Sequence, residues 1–265
     1  MRELRNLLPA TYDFVCSIGC DCGCAWHLMK NRLRVASYPL DWVGTWYVGI
    51  ARVAELVARD FDGFLRMENL RKLPNQARGP HDDQEHDYYH DSGVHADTAH
   101  DFPTGVPLEE SYPAVWDKYR RRIDRFYRTM RASRRTLLVY WTWRDHPEPD
   151  AILKAAKTFR AKFPDGRIDL LVMRHADRPE IRPKTVGEGI LMVDGPFHPA
   201  GGHPAFGDVE LNRRVFSCIR LRGKLRRRWR EWLGRVRRKA VAAFIFDRVK
   251  RHAYRERLDL EKGRE

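Results

Sequence analysis

The stretch RRTLLVYWTW, residues 134–143, decides the fold. Its continuous run of apolar and β-favouring residues reads as a strand buried on both faces, and RIDLLVMR (167–174) and GEGILMVDG (187–195) repeat the pattern downstream. Between the first two, after HPEPD, Ile152, Leu153, Ala156 and Phe159 fall at helical spacing, with Asp150 as the cap of a helix over 151–163. Strand, helix and strand in this order predict an α/β fold, with a central, mostly parallel sheet flanked by helices.

Working outward to the start of the chain, Tyr12, Phe14, Val15 and Ile18 are β-favouring, and Gly19 punctuates their end. Asp21 then suits an N-cap. Ala25, Leu28, Met29 and Leu33 recur on one helical face, and Lys30, Arg32 and Arg34 suit the far end of the helix. This puts Cys22 and Cys24 in a first turn, where unpaired backbone N–H groups and the positive end of the helix dipole stabilise a thiolate. A thiolate attacks carbonyls, so the segment is a candidate active site. Cys16 and Cys20 lie just before it and Cys218 stands far away. An odd count with four thiols so crowded does not read as a disulfide framework. Nor does it supply the two separated ligand pairs of a structural zinc site. A redox role remains open, since a neighbouring thiol could resolve a sulfenic acid on Cys22.

The residues also carry a family pattern. Ser17, Ile18, Gly19, Cys22, Ala25 and Leu28 spell S-I-G-x-x-C-x-x-A-x-x-L, and Leu33, Arg34, Ser37, Pro39, Asp41 and Trp42 spell L-R-x-x-S-x-P-x-D-W. This resembles the opening of a bacterial domain family of unknown function described as "putative papain-like cysteine peptidase". That family's His-Asp-Phe element is similar to His100, Asp101 and Phe102, and the Arg-rich KYRRRIDRF (118–126) follows. The resemblance implies Cys22 as nucleophile and His100 as base, acting on a peptide- or acyl-containing substrate. It leaves Asp101, Asp41 or Asp194 to orient the imidazole, and the first-turn N–H groups of Gly23 and Cys24 to receive the oxyanion. The chain departs from papain in having no Gln between Met1 and Cys22. A parallel sheet also differs from the mostly antiparallel second half of papain. It is closer to α/β hydrolases or SGNH-type esterases, whose ligands collect at strand ends.

Elsewhere the reading is coarser. Trp46 to Phe64 has helical spacing, and so does Tyr112 to Ala132. The intervening 73–113 reads as a loop, with five His and six Asp in HDDQEHDYYHDSGVHADTAHD (81–101). Such a run invites a metal, but it holds no recognised ligand spacing such as H-E-x-x-H, so a solvated loop carrying one useful histidine is the simpler expectation. No metal and no cofactor is therefore expected. His198 and His203, in the Gly- and Pro-rich loop after the third strand, could bring a late histidine to the site.

At 265 residues the chain can bury a sizeable core, and its 43% hydrophobic content excludes a disordered polymer. No run of about 18 uncharged apolar residues is present, so the expected location is cytoplasmic. Residues 220–265 hold 18 Lys and Arg against six Asp and Glu, most of the formal +14. Within them Leu221, Leu225, Trp229, Trp232, Leu233, Val236, Ala240, Ala243 and Phe244 fall on helical spacing. The expectation is a domain over 1–219 followed by a basic amphipathic helix. Through 221–244 that helix could lie on an anionic membrane, which makes a peripheral place on the inner membrane face an option, and a nucleic acid is also not excluded. Two functions follow: a thiol hydrolase centred on Cys22, or a non-catalytic binding module held in place by its tail.

Overall fold

The structure is a computed structural model that describes residues 11–74, 85–200 and 206–223. The chain divides into two units, Met1–Arg220 and Leu221–Glu265. The basic amphipathic helix expected in the second lies outside the described residues, as does His203. In chain order the elements are β1 (Phe14–Ser17), α1 (Cys22–Lys30), β2 (Val43–Gly44), α2 (Gly49–Ala58), β3 (Leu70–Lys72), β4 (His86–Asp91), β5 (Ala96–Pro103), α3 (Leu108–Ala132), β6 (Arg135–Thr142), α4 (Pro149–Lys162), β7 (Arg167–His175), β8 (Arg182–Gly187), β9 (Ile190–Gly195) and α5 (Val209–Phe216).

The three apolar runs form β6, β7 and β9 of a five-stranded sheet ordered β1-β6-β7-β9-β8. Its first four members are parallel and β8 pairs antiparallel to β9. Alternation along β6 explains why its middle, Leu137 to Trp141, carries apolar and aromatic residues without interruption. Leu138 and Tyr140 join a core with Val53 and Val57 of α2, Phe126 of α3 and Phe159 of α4. Leu137, Val139 and Trp141 point to the opposite face and are equally sealed. There the Trp141 indole N–H donates to Asn212 Oδ1 of α5 at 2.8 Å, and its ring lies 5.4 Å from that of His27 in α1. The mostly parallel sheet flanked by helices is thus the observed architecture. Among the described residues no helix is long and apolar enough to cross a membrane.

The loop expected over 73–113 is corrected. Within it β4 and β5 form a hairpin in a second, antiparallel sheet ordered β2-β5-β4-β3. In β4, Asp87, Tyr89 and Asp91 point inward while His86, Tyr88 and His90 are half-exposed. The inward acids are satisfied by specific donors. Lys72 Nζ reaches Asp87 at 2.6 Å, the Leu65 and Gly93 amides donate to Asp91, and His90 Nδ1 lies 2.6 Å from Asp97. A two-residue period written in aspartates leaves no trace in hydropathy.

Several helix boundaries also differ: α1 ends at Lys30, short of Arg32 and Arg34, and α3 begins at Leu108 rather than Tyr112. The helix expected over 46–64 is the shorter α2, because the backbone turns at Asp60, Phe61 and Gly63, all with positive φ. In α4 the cap position falls to Glu148, with Pro149 at the start, and Asp150 lies in the first turn.

Candidate active site

The site begins where β1 gives way to α1. Gly19 has φ +122°, and a Cβ there would stand 2.6 Å from Thr45 Oγ1, so this turn requires glycine. The close approach lets the Thr45 amide donate to the Cys20 carbonyl at 2.6 Å, which ties the turn to the chain leaving β2. Asp21 caps α1 as the sequence predicts. Its carboxylate accepts the Gly23 amide at 2.8 Å and the Trp143 indole N–H at 3.1 Å. Burial pushes this carboxyl up to about 6, against the opposing pull of those two hydrogen bonds and of nearby Arg144.

The clustered thiols are not equivalent. Cys16, Cys20 and Cys24 are sealed, at 0–1% exposure, and burial raises all three, Cys24 to about 12. The Cys24 thiol donates to the Val139 carbonyl across the sheet. Cys22, at the first position of α1, is the one member of the four that is partly exposed. Cys218, also partly exposed, follows α5, where its sulfur contacts the Arg214 carbonyl.

Around the Cys22 turn, the carboxyl ends of neighbouring parallel strands supply a cluster of rings and charges. Beyond β6, Trp143 stacks on His198 with centroids 4.1 Å apart, and Arg144 lies over Trp143 at 4.3 Å and over Trp46 at 4.7 Å. His198, from the loop after β9, donates its amide to His175 Nδ1 at the end of β7. Asp145 accepts from the Tyr140 hydroxyl at 2.8 Å and pairs with the Thr142 hydroxyl.

Other expected residues hold different positions. His100 lies on β5, its ring edge-on to Trp42 at 6.1 Å. Trp42 carries the Arg34 guanidinium at 5.3 Å, and Arg34 pairs with Asp41 at 2.7 Å and donates to Ser37. Asp41 also accepts the Tyr38 amide, so the L-R-x-x-S-x-P-x-D-W segment is a loop gathered onto one buried carboxylate. Burial raises the Asp41 carboxyl although Arg34 opposes it, and its Oδ1 has no hydrogen-bond partner among the described residues. Asp101 accepts the Tyr119 hydroxyl at 2.6 Å and Lys118 at 2.5 Å, tying β5 to α3. Asp194 is held in a two-pronged pair by Arg174. The Gly23 amide is already used by Asp21. Asp21 and the stacked rings therefore link the Cys22 turn to Trp143, Arg144 and His198, while His100 and Asp41 flank Trp42 in a neighbouring cluster. Among the described residues no three of His, Cys, Asp and Glu are grouped to hold a metal ion.

Trp143 and Arg144 were not singled out by their sequence pattern. The available signal was their place directly after a parallel strand, at the end where such sheets gather function.

No solved structure matches the chain. A protein of Acanthamoeba polyphaga mimivirus, described as uncharacterized, is 26% identical over 215 residues, covering 77% of this chain and 86% of that protein. The family described as "Putative papain-like cysteine peptidase" matches residues 13–175, a segment that holds Cys22, Asp41 and His100 and ends before His198. With more than half its length matched, the chain belongs to that family.

Proposed function

We propose that the protein is a thiol hydrolase or acyltransferase, in keeping with its family's description, with Cys22 as the nucleophile. The observation that carries this reading is the contrast among the four thiols: three are sealed with their ionisation suppressed, and the one at the helix start is open. His100 takes the thiol proton, and the sulfur attacks the carbonyl of a peptide- or acyl-containing substrate. The oxyanion draws on the positive end of α1, with the Cys24 amide as donor because that of Gly23 is engaged. The leaving group collects the proton from the imidazolium, and water or an acceptor then releases the acyl group.

His100 is preferred as base because it follows Cys22 in papain order within the matched segment. Asp41 is the preferred orienting group, because its Oδ1 has no hydrogen-bond partner among the described residues, its Arg34 partner lies over Trp42, and the His100 ring is edge-on to the same indole. The test is alkylation by a mild electrophile near neutral pH. Cys22 should react at least about tenfold faster than Cys218, and His100→Ala should remove the advantage while His198→Ala keeps most of it. Equal rates at Cys22 and Cys218 overturn the reading.

A further inference from the structure

Arg144 lies over two aromatic rings, where Arg34, Arg122 and Arg131 each lie over one. It is exposed, and both of its rings are indoles, 4.7 Å away in Trp46 and 4.3 Å away in Trp143. Among the described residues no carboxylate is ion-paired with it, whereas Arg34, Arg52, Arg59, Arg66, Arg174 and Arg213 each have one. Packing against two rings restrains the side chain, and a planar guanidinium fork matches a carboxylate bidentately. Because the side chain is already ordered, binding an anion loses little further rotamer freedom.

Its location gives this charge a use. Trp143, one of the two indoles, donates to Asp21, the residue immediately before Cys22. Trp46 follows Thr45, whose amide binds the Cys20 carbonyl. Both aromatic supports are therefore joined to the turn that carries the nucleophile. Arg144 also favours the ionised forms of Cys20, Asp21 and Asp97. The field at the turn is mixed, since Asp21 and Asp145 are also close and would repel an anion placed without a cation to receive it.

We propose that Arg144, held between Trp46 and Trp143, is a specificity residue that binds a carboxylate of the substrate beside Cys22, so that the preferred acyl donors are anionic. This rests on the reading of Cys22 as the reactive thiol. Iodoacetate and iodoacetamide separate the two ideas, because each loses iodide to the same thiolate with formation of one C–S bond, and they differ in the carboxylate. The ratio of iodoacetate to iodoacetamide rates at Cys22 should exceed that at Cys218 by about tenfold at low ionic strength and shrink in salt. Arg144→Gln should bring the ratio down to that of Cys218, the iodoacetate rate falling further than the iodoacetamide rate, and Arg144→Lys should restore part of it. A native ratio equal to that of Cys218, or a ratio unaffected by Arg144→Gln, overturns the proposal while leaving Cys22 reactive. Equal slowing of both reagents in Arg144→Gln also overturns it, because the arginine would then act only through the fold. Failure of iodoacetamide itself to label Cys22 faster than Cys218 removes the nucleophile, and the proposal falls with it.

Discussion

The two sheets of this molecule are built on opposite principles. In the parallel sheet the sealed positions are mostly Leu, Val, Ile, Met and aromatic side chains, with Thr136, Thr142 and the Arg167-paired Asp169 among the polar exceptions. In the antiparallel sheet several inward positions are aspartates, each matched to a donor from another element: Lys72 for Asp87, the Leu65 amide for Asp91, and Tyr119 with Lys118 for Asp101. The first sheet gains stability from area removed from water, which tolerates some freedom of contact. The second depends on satisfied polar pairs, which are directional and fail individually. The Cys22 turn lies at the seam, bonded to β6's extension through Trp143 and to β2's extension through Thr45.

The largest expected effect belongs to the apolar sheet. Leu138→Ala, at a sealed central position of β6, should cost about 3 to 5 kcal/mol in denaturant unfolding, and a loss below about 1 kcal/mol would mean that this strand is not the core. A smaller but sharper effect is expected in the polar sheet. Asp101→Ala leaves the fully buried Tyr119 hydroxyl without its acceptor and should cost about 2 to 3 kcal/mol, whereas Tyr119→Phe with Asp101→Ala together should cost less than the two single changes summed. Strict additivity would show that the pair is not coupled. The smallest effect is at the seam and is read as a pH dependence. The folded Asp21 carboxyl titrates near 6, above its unfolded value of 3.8, so the folded chain binds this proton more tightly. Its contribution to stability is therefore most favourable below about pH 4 and is lost as pH rises through 6. Asp21→Asn should shrink the difference in unfolding free energy between pH 4 and pH 8 by on the order of 2 kcal/mol, and an unchanged difference would place the titration elsewhere.

What could be read from sequence follows the same division. RRTLLVYWTW and its two repeats announced the parallel sheet because area burial is written as hydropathy. Asp21 was legible as a cap because capping is local. The β4–β5 hairpin was not, since its inward residues are acids whose partners lie 15 to 26 residues away or, for Asp101, on α3. The site was half legible. Helix-start chemistry pointed to Cys22 and Cys24 alike, and only the contact of Cys24 with Val139, 115 residues distant, shows that it is sealed. The assembly of Trp46, Trp143, Arg144 and His198 needed the strand order itself, which brings three separated stretches together.

The antiparallel strand β8 has one more consequence. It closes the parallel array at its outer margin with Arg182, Pro183 and Lys184, the two cations exposed and the proline lacking an amide to offer. A foreign strand laid against that margin would meet a missing donor and two charges it would have to dehydrate. The apolar ladder of β6, β7 and β9 therefore ends in a border that discourages sheet-to-sheet aggregation, and stripping those three residues to Val or Thr would be expected to make this protein a fibre former.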